Sequence, residues 1–149
     1  VAIVVNYYGQ GLLRIQQQQT NTDVEVADLF LALVTSSYTP DLDAHDFWND
    51  VVANELATGN GYTTNGFDVT GAVLSYDSAS DQVRLDIGDP NWLFTAGKTW
   101  RYGILYERTS GTDATRQLFA LLNWGSDQTV STSYTITIDP NGLLFLDAT

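Results

Sequence analysis

From Trp100 to Glu107 the chain alternates strictly: Trp100, Tyr102, Ile104 and Tyr106 fall on one face, Arg101, Gly103, Leu105 and Glu107 on the other. A side-chain period of two belongs to an extended strand. The same period returns in Phe67/Val69, Leu74/Tyr76, Val83/Leu85/Ile87 and Tyr134/Ile136/Ile138, the last interleaved with Ser133, Thr135 and Thr137. Leu29–Val34 and Leu118–Leu122 are apolar without interruption; a run of this kind predicts a strand covered on both faces. Asp139-Pro140-Asn141-Gly142 places proline second and glycine fourth in a turn, and so predicts a hairpin returning through Leu143–Leu146. Strands at short intervals with polar turns between them predict a mainly β chain, an antiparallel β-sandwich or jelly-roll-like domain.

One segment keeps a different period. Ala44, Phe47, Trp48, Val51 and Val52 recur at i, i+3, i+4, i+7 and i+8, which predicts one short α-helix from about Asp43 to Leu56. Asp43 is placed to cap its first free N–H groups, and Asp46 sits at the positive end of its dipole. Before the β-rich region, Val1–Tyr8 reads as an edge strand or short arm, interrupted by Gly9-Gln10-Gly11, and Gln16–Thr22 reads as an exposed polar loop. The expected organisation is an N-terminal arm or edge segment over residues 1–22 and a single β-rich domain over 23–149.

Charge narrows the function classes. The formal net charge is −12, Lys98 is the only lysine, and Arg14, Arg84, Arg101, Arg108 and Arg116 are scattered singly. Nucleic-acid binding needs clustered cations to displace phosphate counterions, so neither DNA nor RNA is an expected partner. An anionic membrane surface is disfavoured for the same reason, and no run approaches the roughly 20 apolar residues of a membrane span. The apolar start Val1–Val5 lacks the basic flank of a targeting signal. With no cysteine, neither a disulfide nor a thiolate metal site is available.

Catalytic and metal patterns are weak. His45, the only histidine, stands near Asp43, Asp46 and Asp50, but a triad also needs a nucleophile on a strained turn and there is no Gly-x-Ser-x-Gly. Asp41-x-Asp43-x-x-Asp46 lacks the spacing, central glycine and terminal glutamate of a calcium loop. Capping and turn roles account for these aspartates. No catalytic residue, cofactor or metal is therefore expected. Trp48 and Trp100 fall on periodic apolar faces and read as core. Trp92 in Asp89-Pro90-Asn91-Trp92 and Trp124 in Asn123-Trp124-Gly125 lie near turns. Together with Tyr7 and Tyr8 of the N-terminal segment they are the candidate interaction residues.

Leu31–Asp41 (LALVTSSYTPD), Asp43-Ala44-His45-Asp46-Phe47, Gly61-Tyr62-Thr63, Arg101–Tyr106, Gly125-Ser126-Asp127-Gln128 and Asp139–Gly142 occur in this order. The set resembles a family of small tailed-phage virion proteins with an ALVTSSYTPD…GYT signature. The resemblance runs from about Asp28 to the C-terminus. It implies a non-enzymatic structural role and carries over no catalytic residue. The expected function is a capsid cement or decoration protein on the outer surface of the phage head, with the major capsid protein and further copies of itself as partners. Closed symmetry is the default for such assemblies, and a trimer at local symmetry axes fits a shell. Two alternatives stand beside it: a tail- or fibre-associated protein binding a glycan through Trp92 or Trp124, and, more distantly, a polysaccharide-degrading enzyme.

Overall fold

A computed structural model describes residues 3–17, 23–25, 28–109, 111–139, 142 and 144–147. The chain forms β1 (Val4–Tyr7), α1 (Gly9–Gln16), β2 (Leu29–Val34), β3 (Phe67–Val69), β4 (Val73–Asp77), β5 (Gln82–Asp86), β6 (Asn91–Leu93), β7 (Lys98–Glu107), β8 (Leu118–Val130), β9 (Ser133–Thr135) and β10 (Leu144–Asp147). All pairings are antiparallel. A five-stranded sheet runs β1-β8-β7-β2-β3, a three-stranded sheet β10-β5-β4, and β6 pairs with β9. The fold is a mainly β, sandwich-like domain with, among the described residues, one short α-helix.

The large sheet has apolar packing on both faces, and β2 shows why. Its odd residues Leu29, Leu31 and Leu33 enter one core cluster, which also holds Leu85 and Trp92 from the smaller sheets and Ile136 just after β9. Its even residues Phe30, Ala32 and Val34 enter a second cluster, with Tyr8, Tyr38, Trp48 and Val51. A strand between two layers must be apolar at every position, and all six residues of β2 are buried.

The β7 series is split. Tyr102, Ile104 and Tyr106 face the second cluster, whereas Trp100 belongs to the first. The change coincides with a shift of register: Trp100 pairs with Gln128 and Tyr102 with Asn123, so β8 carries extra residues around Gly125, whose φ is +73°. Extra residues on one strand bend it and disrupt the ladder locally.

The helix lies elsewhere than the apolar stripe predicts. Between Asp43 and Leu56 there are two short 3-10 turns, Trp48–Asp50 and Val52–Asn54. Phe47 is extended (φ −128°, ψ 163°) and bridges to Gln117, which breaks any continuous helix. The stripe's apolar side chains Trp48 and Val51 are buried all the same. The α-helix is α1, in the segment where two glycines suggested an interruption. A Cβ on Gly11 would stand 2.2 Å from the Leu118 carbonyl oxygen, so glycine there lets the helix backbone lie against β8.

Residues 1–22 contain an edge strand: β1 pairs with β8 at the margin of the large sheet. Gln16 ends α1, Gln17 follows in a turn, and the rest of the polar loop, Gln18–Thr22, lies outside the described residues. The expected terminal hairpin is also different. Asp139 O accepts the Gly142 N–H at 2.7 Å, so the turn closes, although Pro140 and Asn141 lie outside the described residues. The strands flanking it part company, β9 going to β6 and β10 to β5.

Candidate functional site

Three of the four aromatic residues nominated for contact are core residues. Tyr8, Trp92 and Trp124 are all buried. Trp92 meets Phe67 edge-on at 5.6 Å, and Trp124 meets Trp100 edge-on at 6.2 Å. The Trp124 indole N–H donates to the Tyr134 hydroxyl at 2.8 Å, which satisfies the one polar atom that burial would otherwise strand. Tyr7 is half-buried and packs on the first cluster. The long-range pairing of β6 with β9 covers what local turn chemistry suggested would be open.

His45 is held in a closed polar chain. The Tyr8 and Tyr38 hydroxyls lie 2.9 Å apart, Tyr38 Oη lies 2.8 Å from His45 Nδ1, and the Asp41 N–H donates to the same Nδ1 at 3.3 Å. Because Nδ1 accepts from Asp41, Tyr38 donates to it and Tyr8 donates to Tyr38. Burial pushes the Tyr38 hydroxyl up to about 12 and raises Tyr8 further; both remain neutral donors. The ring nitrogen needed by a general base beside a carboxylate is therefore taken by internal partners.

The neighbouring aspartates serve the backbone. Asp41 Oδ1 accepts the N–H groups of Asp43 and Ala44 at 3.1 and 3.0 Å. Asp50 Oδ2 accepts those of Asp46 and Phe47 at 3.0 and 3.1 Å. Asp43, expected as the cap, is a turn residue, because no helix starts there. Among the described residues no group of three or more His, Cys, Asp or Glu side chains is arranged to hold a metal.

Glu55 is a buried carboxyl that local sequence did not single out. It follows the second 3-10 turn and bridges to Val34. Its Oε1 accepts the Tyr62 hydroxyl at 2.9 Å and the Asn65 N–H. Tyr62 Oη in turn accepts the Leu33 N–H at 3.0 Å, and the Tyr106 hydroxyl donates to Asn65 O at 3.0 Å. Burial pushes the Glu55 carboxyl up to about 7 against these hydrogen bonds. The cluster clasps residues 55–66 to the centre of the large sheet. Gly66, at φ +83°, lets the loop pass, since a Cβ there would stand 2.2 Å from Leu31 O.

Among the described residues, β4 groups three exposed large hydrophobic side chains. Val73 is 52% exposed, Leu74 36% and Tyr76 58%, so apolar side chains are open on both faces of an edge strand. Among the described residues its outer side meets one group, the Glu25 carboxylate, which accepts the Leu74 N–H at 2.9 Å. Val4, Leu13 and Leu93 are the other exposed large hydrophobic residues among those described. Among the described residues no helix is long and apolar enough to cross a membrane.

No family model, curated protein or solved structure matches the chain.

Proposed function

We propose that this chain is a non-enzymatic structural protein of a tailed-phage particle, a cement or decoration protein that stabilises the head by binding the major capsid protein and its own copies on the outer surface. The observation that carries the reading is the ordered signature beginning at Leu31–Asp41, taken with what its residues do. Ala32, Val34, Tyr38 and Tyr62 are buried, Tyr38 bonds His45, and Phe47 bridges to Gln117. A signature made of core and clasp residues suits a protein whose product is a rigid surface.

The titratable groups support the same reading. His45 Nδ1 and the Glu55 carboxylate are committed to holding loops. The burial of Trp92 and Trp124 takes away the platform that a glycan-binding tail protein would have used. An acidic chain with few charges for its size keeps copies soluble before assembly.

Particles assembled with and without the chain test the proposal. Particles lacking it should release their DNA at lower temperature or at higher ionic strength than complete ones, and adding the purified protein back should restore resistance. Equal stability of the two preparations would overturn it.

A further inference from the structure

We propose that the outer edge of β4 receives an extended cationic strand from another protein, apolar where it faces Leu74 and Tyr76 and carrying lysine or arginine between. The inference stands on geometry and charge and does not require the particle assignment.

Alternate residues of an antiparallel edge strand point their main-chain groups inward and outward. The Leu74 N–H is donated to Glu25, so Leu74, and with it Tyr76, points away from β5. These two residues present the donors and acceptors that an added strand would pair with. Leu74 lies opposite Leu85 and Tyr76 opposite Val83, and Leu85 is core. An added strand would thus extend an apolar row on that face.

The intervening rows are Asp86–Val73, Arg84–Ser75 and Gln82–Asp77. Asp86 is exposed there, Asp77 is ion-paired to Arg84, and Glu25 sits on the seam itself. Arg84 is the one cation on this hairpin. Cations on the incoming strand would meet a Glu25 carboxylate released from Leu74, with Asp86 one strand further in adding to the negative field. A second copy would instead bring its own Glu25 and Asp77 to the seam on a chain of net charge −12, and like charges brought together repel.

The test uses the full-length ¹⁵N-labelled chain and a blocked heptapeptide of alternating lysine and valine, with a counterpart carrying glutamate for lysine. The lysine peptide should shift the amides of Leu74, Tyr76 and Glu25 and slow exchange of the Tyr76 N–H, and the glutamate peptide should do neither. Leu74→Pro removes an outward donor without costing a β4–β5 hydrogen bond, and should weaken binding about tenfold or more. Asp86→Lys, at an exposed position, should weaken it with the rest of the spectrum unchanged. Shifts scattered over the acidic surface and indifferent to both variants would overturn the proposal, as would the absence of shifts. Concentration-dependent broadening of the same amides without peptide would assign the edge to a second copy and overturn it equally.

Discussion

Glu55 accepts the Tyr62 hydroxyl at 2.9 Å inside the loop that both residues bound, and no cation is hydrogen-bonded or ion-paired to that carboxylate among the described contacts. Its carboxyl is raised from an ordinary 4.5 to about 7, chiefly by burial. A carboxyl raised on folding binds its proton more tightly in the native state. The stability it confers is full below the unfolded value and is lost as pH rises through about 7. The melting temperature should therefore decline between pH 5 and 8 through this group. Glu55→Gln keeps an acceptor for Tyr62 and Asn65 and should flatten the decline, making the variant the more stable form at pH 8. After allowance for the water that still reaches the group, the gain is about 1 kcal/mol. Thermal melts across that range check it; a variant less stable at pH 8 would contradict the assigned charge cost.

Gly11→Ala should destabilise the chain although alanine is the better helix former. The new Cβ would meet the Leu118 carbonyl at 2.2 Å, and α1 would have to lift from β8. Overpacking of this kind costs about 1–3 kcal/mol, readable as a lower denaturant midpoint. Gly9→Ala serves as the control, since its Cβ would meet nothing closer than 3.7 Å.

Trp92→Ala and Trp124→Ala should each cost about 3–5 kcal/mol of stability, as expected of aromatic core truncations. Trp124→Phe removes the donor to Tyr134 and should also destabilise, by about 1 kcal/mol. Unchanged melting with lost binding to a surface would instead mark these residues as contacts.

The case of these tryptophans shows what sequence can and cannot reveal here. The strand β2 was legible because a doubly covered strand must be apolar throughout, and that is a local property. Trp92 and Trp124 sit beside turns, and what buries them is the pairing of β6 with β9 and the Tyr134 hydroxyl, which are long-range. The stripe from Ala44 to Val52 marks two buried residues, Trp48 and Val51, but not a helix: Ala44 is exposed and Phe47 and Val52 are half-buried. What stops a helix is the bridge between Phe47 and Gln117, again non-local. Gly11 reads as a breaker until the carbonyl of Leu118 is known to lie against it. The register shift beside Trp100 leaves only Gly125 as its trace, and a lone glycine has many uses. Of the candidate site, the turn roles of Asp41 and Asp50 follow from residue type. The Glu55 clasp and the open edge of β4 depend on contacts between distant segments.

The Tyr8–Tyr38–His45 chain predicts an asymmetry. Tyr38→Phe leaves the buried Tyr8 hydroxyl without an acceptor and should cost about 2 kcal/mol, whereas Tyr8→Phe leaves Tyr38 still donating to His45 and should cost about 1 kcal/mol or less. Chemical denaturation of the two variants checks the order.

The proposed role is that of a rigid building piece on a particle. The most direct measurement is an image reconstruction of complete particles beside particles made without the chain. Difference density is expected on the outer face of the head, at repeated positions and in contact with the major capsid protein. Heads identical in the two reconstructions, or difference density confined to the tail, would contradict it.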